Sequence, residues 1–349
     1  MTLQDRLLAS GRVPDMLLRR VIRSRVRRVQ RSFDRIPHEA EKKRQDQLAA
    51  QLESGPIAIH AEAANRQHYE LPAEFFRQVL GPRLKYSCCY WETDGAGLDA
   101  AEEAMLELTA RRAGLEDGQD ILDLGCGWGS MALWTAERYP HSLVTAVSNS
   151  HGQGRFILQQ ARLRGLQNLT VVTADVAEFR PTKQFDRVVS LEMFEHVRNH
   201  KALMRRIADW LKPDGALFVH VFCHRRHLYA FEPGKRAWME RYFFTGGIMP
   251  SWDYLPGHQD ALALRDRWEV DGHHYALTLR AWLQSLDKRR EQVMPLLEEV
   301  YGTDRAWLWL ARWRIFFMAC EETFALDEGR SYFVGHYVFS MLDSARGRR

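Results

Sequence analysis

Short apolar runs alternate with amphipathic stretches through the middle of this chain, between residues 120 and 221. The runs are rich in Val, Leu, Ile and Phe, which is typical of strands buried on both faces of a parallel sheet. We predict strands at 121–124, 142–147, 169–173, 185–191 and 216–221, with helices at 130–139, 156–164 and 201–211. Repeated strand–helix–strand units predict a doubly wound α/β sheet, which binds ligands beyond the carboxyl ends of its strands.

The first 60 residues are predicted to form a basic helical arm. Nine arginines lie between residues 12 and 35, against two aspartates. Apolar residues recur between them at helical spacing, at Leu17, Leu18, Val21, Ile22, Val26 and Val29. Three interpretations stay open: an arm that packs its apolar edge on the main domain, a helix attracted to anionic lipid, or a contact with nucleic acid. Among partners we keep peripheral membrane contact and a homodimer as candidates, and we expect no nucleic acid.

The remaining chain, residues 61–349, is predicted to be one domain around the sheet. A helix at 98–115 ends at Gly114 before the first strand. From residue 223 to 312 the strand–helix alternation stops, and a turn-rich aromatic stretch is followed by helical segments near 279–300. We interpret residues 226–312 as an insertion that covers a substrate, and 332–339 as a last edge strand.

Composition excludes several classes of protein. The 349 residues are 46% hydrophobic, enough for a core, without a run long and apolar enough to span a membrane. Because the N-terminal residues contain no apolar stretch followed by a small-residue cleavage site, we expect no secretory signal. The five cysteines are irregularly spaced and form no C-x-x-C pair, so we expect neither disulfides nor a metal site, and a cytoplasmic location.

A glycine-rich turn follows the first predicted strand. Gly125, Gly127 and Gly129 alternate along it, and Asp123 stands two residues before the first glycine. A dinucleotide fingerprint is G-x-G-x-x-G, whereas this D-x-G-x-G-x-G spacing leaves less room for a pyrophosphate. A carboxylate at that position suits a cationic group such as the ammonium of an amino acid. The turn therefore indicates S-adenosylmethionine (SAM), with S-adenosylhomocysteine as its product.

Other cofactor contacts are predicted at the ends of the next strands. After the second strand, Ser148, Asn149 and Gln153 are candidates for the ribose hydroxyls. After the third, Asp175 with Val176 is a candidate for the adenine, through the carboxylate and a backbone N–H. An aromatic loop before the sheet is expected to close over the cofactor with two further residues, Tyr86 and Ser87.

The fourth strand is followed by the run Glu192-Met-Phe-Glu195-His196. If the chain turns helical there, positions i, i+3 and i+4 share one face, and three ionisable groups converge beside the cofactor. Carboxylates bind an ammonium, and a carboxylate or histidine takes a proton from an attacking amine. The plainer alternative is a capped, solvent-facing helix start.

Five runs together resemble the coclaurine N-methyltransferase family of SAM-dependent enzymes. They are KYSCCY at 85–90, LDLGCGWGS at 122–130, EMFEH at 192–196, LFVHVFCH at 217–224 and RYFFTGGIMPS at 241–251. The chain is more distantly similar to the cyclopropane-fatty-acid synthases. The resemblance implies a Rossmann-like, seven-stranded class I methyltransferase sheet, catalytic roles for Glu192, Glu195 and His196, and a small, aromatic or cyclic amine as substrate.

The resemblance also implies a substrate pocket. Its expected lining is Cys88, His220, Phe222, Phe244, Trp313, Phe316 and Phe317. In the synthases a bicarbonate base is held by residues that match Cys88, Glu195, His220 and a tyrosine, and Phe316 stands at the tyrosine position. A phenylalanine donates no hydroxyl, which favours amine methylation over the alternative of lipid methylation at a membrane surface. A non-catalytic SAM- or nucleic-acid-binding protein is the remaining alternative.

Overall fold

The structure is a computed structural model that describes residues 13–59, 71–232 and 238–342. The first twelve residues of the predicted arm, and the predicted boundary between residues 60 and 61, lie outside the described residues.

A seven-stranded sheet forms the centre of the fold, as predicted. In chain order its strands are β1 (Asp120–Leu124), β2 (Leu143–Ser148), β3 (Leu169–Thr173), β4 (Phe185–Leu191), β5 (Leu211–His224), β6 (Leu262–Val270) and β7 (Tyr332–Met341). Their order across the sheet is β3-β2-β1-β4-β5-β7-β6. The first five pair in parallel, whereas β7 runs antiparallel to both β5 and β6. The carboxyl ends of β1 to β5 therefore meet at one edge of the sheet.

Helices lie before, between and after these strands along the chain. They are α1 (Asp15–Asp34), α2 (His38–Glu53), α3 (Ala73–Val79), α4 (Leu98–Ala113), α5 (Ser130–Arg138), α6 (His151–Leu163), α7 (His200–Trp210), α8 (Trp238–Tyr242), α9 (Tyr254–Gly257), α10 (Gly272–Lys288), α11 (Arg290–Tyr301) and α12 (Thr303–Phe324). A short antiparallel ribbon, Tyr229–Ala230 with Ile248–Met249, lies beyond β5.

The prediction of residues 332–339 as an edge strand is wrong. β7 lies between β5 and β6 and is buried along nearly its whole length. On this side of the sheet the edge strand is β6, within the predicted insertion. The sequence pattern did not reveal it because its middle, at residues 265–267, is exposed and charged. The segment 226–312 therefore supplies a strand to the main sheet as well as helices beside it.

The described part of the basic arm packs against the main domain through buried carboxylates. Arg19 Nη2 lies 2.7 Å from Glu321 Oε2, and Arg23 Nε lies 2.7 Å from Glu322 Oε2, on the facing helix α12. Arg314 on α12 pairs in turn with Asp15 of α1 at 2.7 Å. This contact corresponds to the interpretation of an arm that packs on the domain. Among the described helices, none combines the length and the apolar character needed to cross a bilayer.

Candidate active site

The glycine turn after β1 requires backbone conformations that favour glycine. Gly125, Gly127 and Gly129 all have positive φ, between 53° and 82°. A Cβ on Gly125 would lie 2.5 Å from Met193, and a Cβ on Gly129 would lie 2.7 Å from Ile157. The turn therefore holds the start of α5 close to the strand ends and leaves a groove above the turn.

The first part of this groove, which we call the cofactor groove, holds an unpartnered carboxylate oxygen. Tyr86, Ser87, Asp123, Gly125 and Gly127 are among its lining residues. Asp123 is 2% exposed, and its Oδ2 has no hydrogen-bond partner in the described residues. Burial raises the pKa of Asp123 to about 7. A buried oxygen of this kind fits the ammonium group of SAM.

The second part of the cofactor groove is lined by the residues predicted for the nucleoside. They are Ser148, Asn149, Gln153, Asp175 and Val176, together with Gly125 and Gly127. The Ser148 hydroxyl donates to Gln153 Oε1 at 2.6 Å, and Gln153 Nε2 has no partner in the described residues. This amide therefore remains available as a donor. Asp175 Oδ1 accepts from the N–H of Ala177 at 2.7 Å, which leaves its other oxygen for a ligand.

Gly129 was predicted to contact the cofactor, but among the described residues it does not line the cofactor groove. All the other predicted cofactor residues do. Gly129 precedes α5 in a left-handed conformation and packs against Ile157. Its role is thus to let the helix start at Ser130, rather than to touch the cofactor.

Glu192, Glu195 and His196 come together, but not on an α-helix as expected. Glu192 has a left-handed φ of 47°, and only Phe194–His196 form a single 3₁₀ turn. The left-handed residue turns the chain directly after β4. All three side chains line one large cavity, and Glu192 also lines both parts of the cofactor groove.

The carboxylate of Glu192 is held by donors from three parts of the chain. The N–H of Cys88 donates to Oε1 at 2.8 Å, and His220 Nε2 lies 3.2 Å from the same oxygen. The phenolic hydroxyl of Tyr275 donates to Oε2. Donors to both oxygens stabilise the ionised form, although burial raises the pKa of Glu192.

The surroundings of the Glu195 carboxyl differ from those of Glu192. Its side chain is 1% exposed, and its Oε2 has no partner in the described part of the chain. Burial raises the pKa of Glu195 well above its ordinary value, and the neighbouring charge of Glu192 raises it further. Burial also lowers the pKa of His196 to about 4. The hydrogen bonds to Glu192 therefore favour its ionised form over that of Glu195, and burial favours the neutral ring of His196.

The large cavity has a volume of about 660 Å³ and is walled mostly by apolar and aromatic side chains. We call it the substrate cavity. Phe222, Phe244 and Phe316 line it, as predicted from the resemblance. Cys88 and His220 instead lie behind Glu192 and contact that carboxylate.

Trp313 and Phe317 do not fit the predicted pocket, because in the described structure they lie in the core and not in the cavity wall. Both are 0% exposed. The ring of Trp313 packs 5.0 Å from that of Phe75, and Phe317 packs 5.9 Å from Trp282. The aromatic spacing on α12 therefore reflects a core stripe on one side and a cavity wall, with Phe316, on the other.

The sequence interpretation missed two parts of the cavity wall. One is Tyr275 on α10, whose hydroxyl donates to Glu192; the predicted covering segment 226–312 includes this helix, but no local motif marks the tyrosine. The other is α1, whose Leu18, Ile22 and Val26 line the cavity. The helical spacing of these residues was the available signal, but spacing alone does not tell which surface an apolar face covers.

Two matches relate this chain to known proteins. A family model described as mycolic acid cyclopropane synthetase matches residues 58–330. (S)-coclaurine N-methyltransferase of Thalictrum flavum subsp. glaucum is 35% identical over 337 residues, covering 95% of this chain and 93% of that protein.

Two solved structures support the same grouping. A crystal structure of coclaurine N-methyltransferase bound to N-methylheliamine and SAH aligns with a TM-score of 0.92 at 33% identity, covering 97% of this chain and 98% of the other. A cyclopropane synthase from Mycobacterium tuberculosis aligns with a TM-score of 0.67 at 22% identity, covering 82% of this chain and 99% of the other. The latter similarity concerns the fold alone.

Proposed function

Because this chain belongs to the family of SAM-dependent methyltransferases that includes the coclaurine N-methyltransferases, we propose that it methylates the nitrogen of a lipophilic amine with aromatic rings. One observation carries the proposal: Glu192, Glu195 and His196 line the mostly apolar cavity of about 660 Å³. Glu192 also borders the cofactor groove, so ionisable groups lie where the substrate cavity meets that groove.

The walls of the cavity select the class of amine. Phe222, Phe231, Trp238, Phe244 and Trp282 present aromatic surface along it. Such walls favour flat or cyclic apolar groups, since burial of apolar surface is the main source of affinity there. One relative of this chain is an (S)-coclaurine N-methyltransferase, and a related crystal structure of coclaurine N-methyltransferase contains N-methylheliamine and SAH.

Two parts of the site prepare the methyl transfer. When bound, SAM would supply a methyl carbon that forms a bond to the amine nitrogen as its bond to sulfur breaks, with the neutral thioether S-adenosylhomocysteine as the leaving group. The unpartnered oxygen of Asp123 would hold the ammonium of the cofactor, and the Gln153 amide is free to donate to its ribose. Glu192, fixed by three donors, orients the amine next to that groove.

The amine must lose a proton to act as a nucleophile. An alkylamine is mostly protonated near neutral pH, and only the free base has a lone pair. Glu192 binds the ammonium, and the neutral ring of His196, which lines the same cavity, accepts its proton. Glu195 lines the same cavity, and its Oε2, which has no partner in the described residues, is available to accept a hydrogen bond from the ammonium.

A screen with isotopically labelled SAM tests the function. We would offer cyclic secondary amines with aromatic rings, open-chain amines of matched hydrophobicity, and vesicles of unsaturated phospholipid, and read products by mass spectrometry. The expected result is label on the nitrogen of the aromatic amines. Transfer to lipid acyl chains, or to no amine at all while SAM binds, would overturn the proposal.

Lipid methylation is the less supported alternative. The ring of Phe316 stacks on Phe243 at 4.4 Å and 12°, so an aromatic wall stands where the resemblance to the synthases requires a tyrosine hydroxyl. A hydrocarbon surface at this point suits an aromatic amine and does not help to hold bicarbonate.

Peripheral membrane contact through the arm is a further proposal. Arg20, Arg27, Arg28 and Arg31 are exposed on α1, without a carboxylate partner in the described residues. Met16 of the same helix is 77% exposed. Clustered arginines beside exposed apolar residues favour anionic lipid. Co-sedimentation with anionic vesicles, compared with neutral vesicles, tests it; equal binding to both would contradict it.

We also propose a cytoplasmic location and a homodimer. The five cysteines are free, which is consistent with a reducing compartment. Fractionation of cells that make the protein tests the first proposal, and the mass in solution tests the second.

A further inference from the structure

A chain of hydrogen bonds connects Glu192 to a guanidinium outside the substrate cavity. Arg112 Nη1 lies 2.7 Å from His336 Nδ1. His336 Nε2 lies 2.9 Å from His220 Nδ1, and His220 Nε2 lies 3.2 Å from Glu192 Oε1. In the described residues, neither Arg112 nor His336 lines the cavity or the groove.

The sheet fixes the positions of the two imidazoles. His220 on β5 and His336 on β7 are direct partners in the antiparallel register, so their side chains extend from the same face. Both rings are 0% exposed, with centroids 4.8 Å apart. Arg112 reaches them from the last turn of α4, and its guanidinium lies over the ring of Trp268 at 5.0 Å. The arrangement is therefore built into the fold.

The guanidinium of Arg112 sets the donor-to-acceptor direction of every hydrogen bond between it and Glu192. An arginine side chain has donors only and stays charged, so His336 Nδ1 must accept. Burial lowers the pKa of both His336 and His220, so each ring is neutral and carries one proton. His336 then carries its proton on Nε2 and donates to His220, which carries its own on Nε2 and donates to Glu192. Each step follows from the preceding one.

We propose that Arg112 is a positioning residue of the methyl transfer: through His336 and His220, it ensures that Glu192 always receives a hydrogen bond. This inference rests on the proposed role of Glu192 in binding the amine. The same direction keeps His220 from accepting the substrate proton, because its nitrogen facing Glu192 is already protonated. Proton removal is thus left to the groups that line the cavity.

Other groups also face Glu192 and contribute to its titration. They are Lys85, Cys88, Cys89, Glu195, His196, Tyr275 and Cys320, besides His220. Of these, Cys88 and Tyr275 donate directly to the carboxylate and remain in place when Arg112 is changed. We therefore expect the loss of the His220 donor to make the ionised form of Glu192 less stable, without eliminating it.

The tautomers can be measured without any substrate. Nitrogen NMR of the full chain labelled in histidine, assigned with His336→Gln and His220→Gln, reports which nitrogen of each ring is protonated. We expect Nε2–H on both rings in the unsubstituted protein. A proton on Nδ1 of either ring would overturn the inference. This result is independent of which substrate the enzyme methylates, so it separates this inference from the proposed function.

Kinetics test the consequence. In Arg112→Met we expect kcat to fall about tenfold and the acid limb of its pH profile to move up by about one pH unit, since Glu192 loses a donor. Arg112→Lys keeps a donor-only cation and should restore both. Arg111→Met changes the exposed neighbour in the same helix turn and is the matched control. A pH profile in Arg112→Met equal to that of the control, at equal thermal stability, would overturn the inference.

Discussion

Tyr275 donates its phenolic hydrogen to Oε2 of Glu192, across 83 residues of sequence. Glu192 lies at the end of β4, whereas Tyr275 lies in the first turns of α10. Since α10 belongs to the segment that walls the substrate cavity, one hydrogen bond joins that wall to the carboxylate beside the cofactor groove. Orientation of the amine therefore depends on a residue outside the sheet.

Removal of this hydroxyl should slow catalysis. In Tyr275→Phe we expect kcat to fall by about ten- to a hundredfold, because a hydrogen bond to a charged group contributes about 1.5–3 kcal/mol. Cofactor affinity, measured by calorimetry, should stay unchanged. Tyr139→Phe, at the end of α5, is the control. A kcat for Tyr275→Phe equal to the control value would show that Glu192 needs no phenol.

Glu195 and His196 should be needed for the chemical step and not for the cofactor. We expect Glu195→Gln and His196→Ala each to lower methyl transfer by about 10²-fold or more, since they remove groups that accept a proton or bind the ammonium. Glu107→Gln changes an exposed glutamate on α4 and serves as control. Single-turnover measurements on the enzyme saturated with SAM separate an effect on the chemical step from an effect on cofactor binding. Turnover at the wild-type rate in both variants would contradict these roles.

Cofactor binding should depend on pH through Asp123. Burial raises the pKa of this carboxyl to about 7. The cofactor ammonium binds the ionised form, so protons compete with it, and affinity for SAM should decrease as the pH falls below about 7. Asp123→Asn should bind at least about tenfold more weakly, with little pH dependence from this position. Calorimetry between pH 6 and 8 (roughly one unit either side of that pKa) checks this; equal pH dependence in both proteins would exclude Asp123 as the source.

The ion pairs between α1 and α12 should hold the cavity wall in place. Arg19 and Arg23 contact Glu321 and Glu322, whose side chains are only 5% and 7% exposed. In Arg19→Gln with Arg23→Gln we expect the KM for the amine to rise about two- to fivefold, because partly exposed pairs contribute modestly. The affinity for SAM should not change.

The control for the arm is the double variant Arg20→Gln with Arg27→Gln, which changes two exposed arginines of the same helix. It should reduce binding to anionic vesicles and leave the KM for the amine unchanged. If both double variants alter the KM equally, the effect comes from net charge and not from the contact with α12.

Several features of the fold follow from local sequence. The observed bounds of β3 and β4, Leu169–Thr173 and Phe185–Leu191, match the predicted ones, because continuous apolar runs between turn residues have few alternatives to a buried strand. β6 escaped prediction because an edge strand with one exposed face needs few apolar residues, and 262–270 carries charged side chains in its middle.

What the sequence alone determined is the chemistry of the strand ends. The spacing of Asp123 and its glycines, and the run from Glu192 to His196, place a SAM site and ionisable groups at one sheet edge, because parallel strands bring their carboxyl ends together. The comparisons confirm the family and the cofactor.

Only the tertiary structure decided what surrounds those groups. The donor from Tyr275, the link from Arg112 through His336, and the cover of the cavity by α1 join segments far apart in the chain. Each depends on antiparallel register or on the packing of one helix on another. Local periodicity shows that a face is apolar, but the partner of that face is set by the free energy of the whole packed arrangement.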